Sequence, residues 1–159
     1  MNRIQKTFTL LAVLAIPAGA QISVPSADKL CFASGTATFR LAPSAATPDY
    51  RVRIEREFPA ADLRMRLVDR PEIADFVLVD DFSGAEQDAC GSSTPVQTVK
   101  LDPAAEKPDV IVNLSADPGP ADLRIYIHSV RFSQHDAAAL LAAMWKSEQK
   151  RKALALADR

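Results

Sequence analysis

Apolar and polar residues alternate along a series of short stretches, and a two-residue period of this kind is what a half-buried strand produces, because successive side chains point to opposite faces. In residues 36–41, Ala37, Phe39 and Leu41 stand between Thr36, Thr38 and Arg40. In residues 50–55, Val52 and Ile54 oppose Arg51, Arg53 and Glu55, and in residues 63–68, Leu63, Met65 and Leu67 oppose Arg64 and Arg66. Residues 96–101 and 110–114 predict two further strands. Residues 123–132 predict a longer one, with Leu123, Ile125 and Ile127 on one face and Arg124, Tyr126 and His128 on the other. The apolar run at residues 76–79 predicts a more fully buried strand. Pro43, Pro48, Pro59, Pro71, Pro103 and Pro108 punctuate the connections. The short connection after residue 55 predicts that strands 50–55 and 63–68 pair as an antiparallel hairpin.

A helix follows the last strand. Ser133 precedes Asp136 by three positions, a capping-box spacing, and Ala137, Leu140, Leu141, Met144 and Trp145 then fall at helical intervals. This pattern predicts an α+β fold in which an antiparallel sheet of six or seven strands is covered on one side by one C-terminal helix. The alternative is a β-sandwich with the helix appended. The expected division is a signal peptide at 1–20, a single domain at 21–145 and a basic helical tail at 146–159. One internal similarity appears at an offset of 60: Val52, Ala61, Asp62, Leu63 and Arg64 recur as Val112, Ala121, Asp122, Leu123 and Arg124. A duplicated strand-turn-strand unit gives such a match, as do the shared demands of two hairpins.

The first twenty residues carry Arg3 and Lys6, then an apolar stretch from Phe8, then Ala18, Gly19 and Ala20, which is the layout of a cleavable signal peptide. The apolar stretch is about half of the roughly 20 residues that a membrane-spanning helix needs, so cleavage before Gln21 is expected, with a periplasmic or extracellular location in a bacterium. Removing Arg3 and Lys6 leaves three more acidic than basic side chains, which argues against a nucleic-acid partner. In an oxidising compartment the two cysteines, Cys31 and Cys90, are expected to form a disulfide.

Candidate chemistry is sparse. Arg51, Arg53, Arg64 and Arg66 share a predicted sheet face and could hold an anion or a partner; their ordinary role is cross-strand pairing with Glu55, Glu57 and Asp69. Asp80, Asp81, Glu86 and Asp88 surround Gly84 in an acidic loop without EF-hand spacing, so no metal is assigned. His128, His135 and Asp136 form the one trio suited to proton transfer in a hydrolase-like enzyme. Asn113 opens a glycosylation sequon inside a predicted strand. Lys146, Lys150, Arg151 and Lys152 make the tail basic, suiting an acidic partner or peripheral contact with an anionic membrane. No catalytic motif, cofactor fingerprint or metal signature stands out. The expected function is that of a non-enzymatic binding or accessory protein of the cell envelope, whose partner is another envelope protein or a polymer. The hydrolase and a metal- or anion-binding module are the alternatives.

Overall fold

A computed structural model describes residues 31–34, 37–56, 60–80 and 95–157. Its strands are β1 (Cys31–Ser34), β2 (Ala37–Leu41), β3 (Tyr50–Glu55), β4 (Leu63–Leu67), β5 (Phe76–Asp80), β6 (Val96–Leu101), β7 (Val110–Ser115) and β8 (Leu123–Ser129), followed by the helix α1 (Gln134–Ala157). They form one eight-stranded sheet in the order β1-β2-β6-β3-β7-β4-β8-β5. Sheet plus C-terminal helix agrees with the expected class. The antiparallel sheet does not: β1 and β2 pair antiparallel, and each of the other neighbouring pairs is parallel. The expected hairpin of β3 and β4 is also corrected, because β7 lies between them and bonds both. The strand count rises to eight through β1, and the last strand ends at Ser129 rather than at residue 132.

The two halves of the chain are interleaved. From β2 onward, each strand of the first half alternates with one of the second, and all follow one register rule. Phe39 lies beside Gln97, Val99 beside Tyr50, and Val52 beside Val110. Val112 then lies beside Leu63, Met65 beside Leu123, and Ile125 beside Phe76. The third residue of every unit thus faces the first residue of the next, so the sheet climbs by two residues per strand. Units begin 13 residues apart, at Ala37, Tyr50, Leu63 and Phe76 in one series and at Gln97, Val110 and Leu123 in the other. The two series are offset by 60, so the sequence similarity at that offset marks structurally equivalent strands.

This climb explains how connections so short can join parallel strands, which usually need a crossover of a dozen or more residues. Ile54 and Leu63 both lie beside Val112, so β4 starts on the rung where β3 is ending. The connection has only to step across one strand, with no return along its length. A climb of about 6.6 Å for every 4.8 Å of width corresponds to a strand tilt of about 54° in a barrel, steeper than the usual 35–45°. The sheet accordingly curls, and the inward rings of Phe32 on β1 and Phe76 on β5 meet with centroids 5.8 Å apart.

The even stagger keeps one face apolar apart from Gln97. Phe39, Val52, Leu63, Met65, Val99, Val110, Val112 and Ile125 all point inward and are at most 1% exposed. α1 lies in that concavity rather than covering one side of the sheet as expected. Its residues 137 to 143 are consecutive and all buried, and seven residues cover nearly two turns, so every side of the helix is enclosed. Ala137, Ala138, Ala139, Ala142 and Ala143 supply the small side chains that let the backbone come this close, with Cα atoms within 8 Å of those of β2, β3, β6 and β7. The expected capping box forms: Asp136 donates its backbone N–H to Ser133 Oγ at 3.1 Å, while its carboxylate accepts the Ser133 backbone N–H at 3.1 Å and the hydroxyl at 2.7 Å. The helix runs without a break past the expected boundary at residue 145 to Ala157.

Candidate functional site

A staggered sheet leaves, at the start of every strand, a backbone N–H that the next strand begins too late to reach. An aspartate fills five of these gaps, those on β3, β4, β6, β7 and β8. Asp49, Asp62, Asp75, Asp109 and Asp122 each immediately precede a strand, and each accepts from the backbone N–H of the second residue of the neighbouring unit. The acceptances run from Thr98 (2.7 Å), Ile111 (2.8 Å), Arg124 (2.8 Å), Arg51 (2.7 Å) and Arg64 (2.8 Å), respectively. Four of these aspartates also donate their own N–H to the carbonyl of the same residue; Asp49 donates instead to the Thr98 hydroxyl.

Where the second residue is arginine, the guanidinium can join. Arg124 binds both carboxylate oxygens of Asp75, at 3.0 and 2.7 Å, and Arg64 reaches both oxygens of Asp122 at 3.4 and 3.3 Å. Hydrogen bonds from Arg124 hold the Asp75 carboxyl down to about 2, from the usual 3.8. Arg64 likewise lowers Asp122, and the backbone and hydroxyl of Thr98 lower Asp49. A carboxyl whose folded value is depressed contributes stability that is complete above its unfolded value and is lost as pH falls through the folded one. Melting temperature is therefore expected to hold from pH 7 to about 5 and to fall as the pH drops from about 4 towards 2, with a weaker fall in Asp75→Asn. Asp62→Ala, which leaves the Ile111 N–H without its acceptor, is expected to cost about 1 kcal/mol in denaturant titration.

The four candidate arginines do share the outer face, and each is occupied by its own fold. Arg51 donates to the Ala46 carbonyl, Arg53 donates to the Ala105 carbonyl and ion-pairs with Glu55 at 2.8 Å, Arg64 donates to Asp122, and Arg66 to the Gly119 carbonyl. The face is a buttress that ties connections to strands. Asn113 is similarly engaged, donating to the Arg56 carbonyl. Of the hydrolase trio, His128 is exposed on β8 and His135 is exposed in the first turn of α1, while Asp136 is committed to the helix cap. None of them lines any of the three principal clefts. No group of three His, Cys, Asp or Glu is placed to hold a metal among the described residues. Asp80 ends β5, and Asp81, Gly84, Glu86, Asp88 and Cys90 lie outside the described residues. Cys31 opens β1, and no cysteine is free among the described residues.

The basic tail proves to be the outer half of α1. Gln134 lies by the ends of β4 and β7, whereas Trp145 and Lys146 lie by the starts of β3 and β4, so the helix threads the sheet antiparallel to the strands and emerges at the aspartate rim. From Gln149 to Ala157 it is exposed. Arg151 pairs with Glu148 at 2.6 Å, which lowers the Glu148 carboxyl and raises the Arg151 guanidinium. Between the emerging helix and the rim is a cleft of about 540 Å³. Its sheet wall is Asp49, Tyr50, Gln97 and Asp109, and its helix wall is Trp145, Lys146, Gln149 and Lys150. Trp145 also borders a second cleft, of about 510 Å³, with Asp62, Arg64 and Asp122. Sequence reasoning had singled out Lys146 and Lys150 but missed the facing wall, which only the interleaved strand order assembles.

No protein-family model, curated protein or solved structure matches the chain.

Proposed function

We propose that the chain is an exported, non-enzymatic binding protein of the cell envelope, and that it works through the cleft where α1 leaves the sheet. The observation carrying this reading is that Lys146 and Lys150, one turn apart, face Asp49 and Asp109 across open space without pairing to them or to any other described residue. Elsewhere on the outer surface Arg51, Arg53, Arg64, Arg66 and Arg124 already have partners. Charges held near each other but unpaired are what a binding surface presents before its ligand arrives.

The signal-peptide pattern of residues 1–20 supports export, and the Cys31–Cys90 disulfide belongs to the same proposal. No helix among the described residues is long and apolar enough to cross a membrane. Leu154 and Leu156 are 60% and 71% exposed, but two residues apart on a helix means nearly opposite faces. The tail therefore lacks the single apolar face with which a helix lies on a membrane, and this favours the cleft as the working surface.

The test combines fractionation with sedimentation. The chain lacking residues 1–20 is expected outside the cytoplasm, and the purified form is expected to co-sediment with isolated envelope material. Lys146→Ala with Lys150→Ala is expected to release it at unchanged melting temperature. An unprocessed cytoplasmic chain, or sedimentation indifferent to the double substitution, would sink the proposal.

A further inference from the structure

The ligand class of the cleft follows from what its walls leave unsatisfied. Gln97 occupies an inward position at the start of β6, where equivalent positions carry Tyr50, Leu63, Phe76, Val110 and Leu123. Its Oε1 is buried and takes no hydrogen bond. A buried acceptor without a donor is costly to the fold. Asp49 and Asp109 each commit Oδ2 to a backbone N–H and leave Oδ1 without a hydrogen bond from any described residue. The sheet wall thus presents two acceptors, the Oδ1 atoms of Asp49 and Asp109, both fixed in orientation by the rim. The helix wall presents two ammonium groups, and the rings of Tyr50 and Trp145 add flat apolar surface with a polar edge.

We infer that the cleft binds an acidic saccharide, with a carboxylate on Lys146 and Lys150, ring hydroxyls donating to Asp49 and Asp109, and a sugar face against Trp145. This deepens the binding reading above and rests on it. A peptide suits the walls less well, since its backbone brings one acceptor for every donor and two of the wall groups here are anionic acceptors already. A saccharide carries a donor on most ring carbons, with an acidic group for the lysines.

The chain has a single tryptophan, so its fluorescence reports the cleft directly. Titrating the whole processed protein with trigalacturonate is expected to shift Trp145 emission saturably, with maltotriose and triglutamate at least tenfold weaker. Lys150→Ala is expected to weaken trigalacturonate binding about tenfold, the scale of one lost charge-assisted hydrogen bond. No response to trigalacturonate, an equal response to triglutamate, or an unaffected Lys150→Ala would each overturn the inference. If one of these occurs while lysine-dependent co-sedimentation persists, only the ligand class falls; if sedimentation fails too, the binding reading falls with it.

Discussion

Leu140→Ala and Leu141→Ala are each expected to destabilise the protein by about 2–5 kcal/mol, measured as a lower denaturant midpoint at unchanged slope. Both side chains are 1% exposed inside the curled sheet, and the walls around them are strands bonded on either side, which cannot collapse to fill the space. The sharper test goes the other way in size. Ala137 and Ala139 are at most 2% exposed and, two residues apart, stand on nearly opposite sides of the helix; enlarging either to leucine is expected to cost about 1–3 kcal/mol or more, because an enclosed helix has no direction in which to retreat. Ala155→Leu, on the exposed stretch, is expected to change little. A helix lying on one side of a sheet would tolerate leucine at one of the two inner positions, so neutral results at either would remove the threaded arrangement.

The second large effect concerns the proposed disulfide. Joining Cys31 to Cys90 closes a loop of about 60 residues, for which loop-closure entropy gives roughly 4 kcal/mol. Cys31→Ser with Cys90→Ser is expected to lose a stability of that order relative to the oxidised protein, and reductant is expected to shift the wild type alone. The burden falls on β1, a four-residue edge strand held in the sheet by β2. Identical denaturation curves with and without reductant would show that the thiols do not pair.

The alternation of residues revealed nearly every strand but not how the strands associate. Leu63, Met65 and Leu67 alternate with Arg64 and Arg66 whether the neighbour runs parallel or antiparallel, so the pattern is silent on direction. Direction was inferred from the short connections, and there the two-residue climb defeats the usual inference by removing the return path. A usable signal was nevertheless present. Asp49, Asp62 and Asp75 recur every 13 residues, and Asp109 and Asp122 repeat the interval. Read together with the offset of 60, this spacing marks a rim of carboxylates serving successive strands. Threading of α1 was not read from the sequence, because Ala137, Leu140, Leu141, Met144 and Trp145 at helical spacing mark one apolar face whether the helix lies on a sheet or inside it, although the alanines suit close approach. The cleft was not legible, because Gln97 and Asp109 reach Lys146 and Lys150 only through strand order.

Interleaving also governs when the protein can fold. From β2 to β5, every strand of the first half waits for a neighbour from the second, so a nascent chain stopped at residue 80 has none of its parallel ladder available. Such long-range pairing makes for slow folding, and it keeps the polypeptide extended until its final third has been made. A translocation channel accepts threads rather than knots, so this order of folding suits the export proposed above. Separately made halves, 31–94 and 95–159, are expected to be unfolded alone and to reconstitute the sheet when mixed.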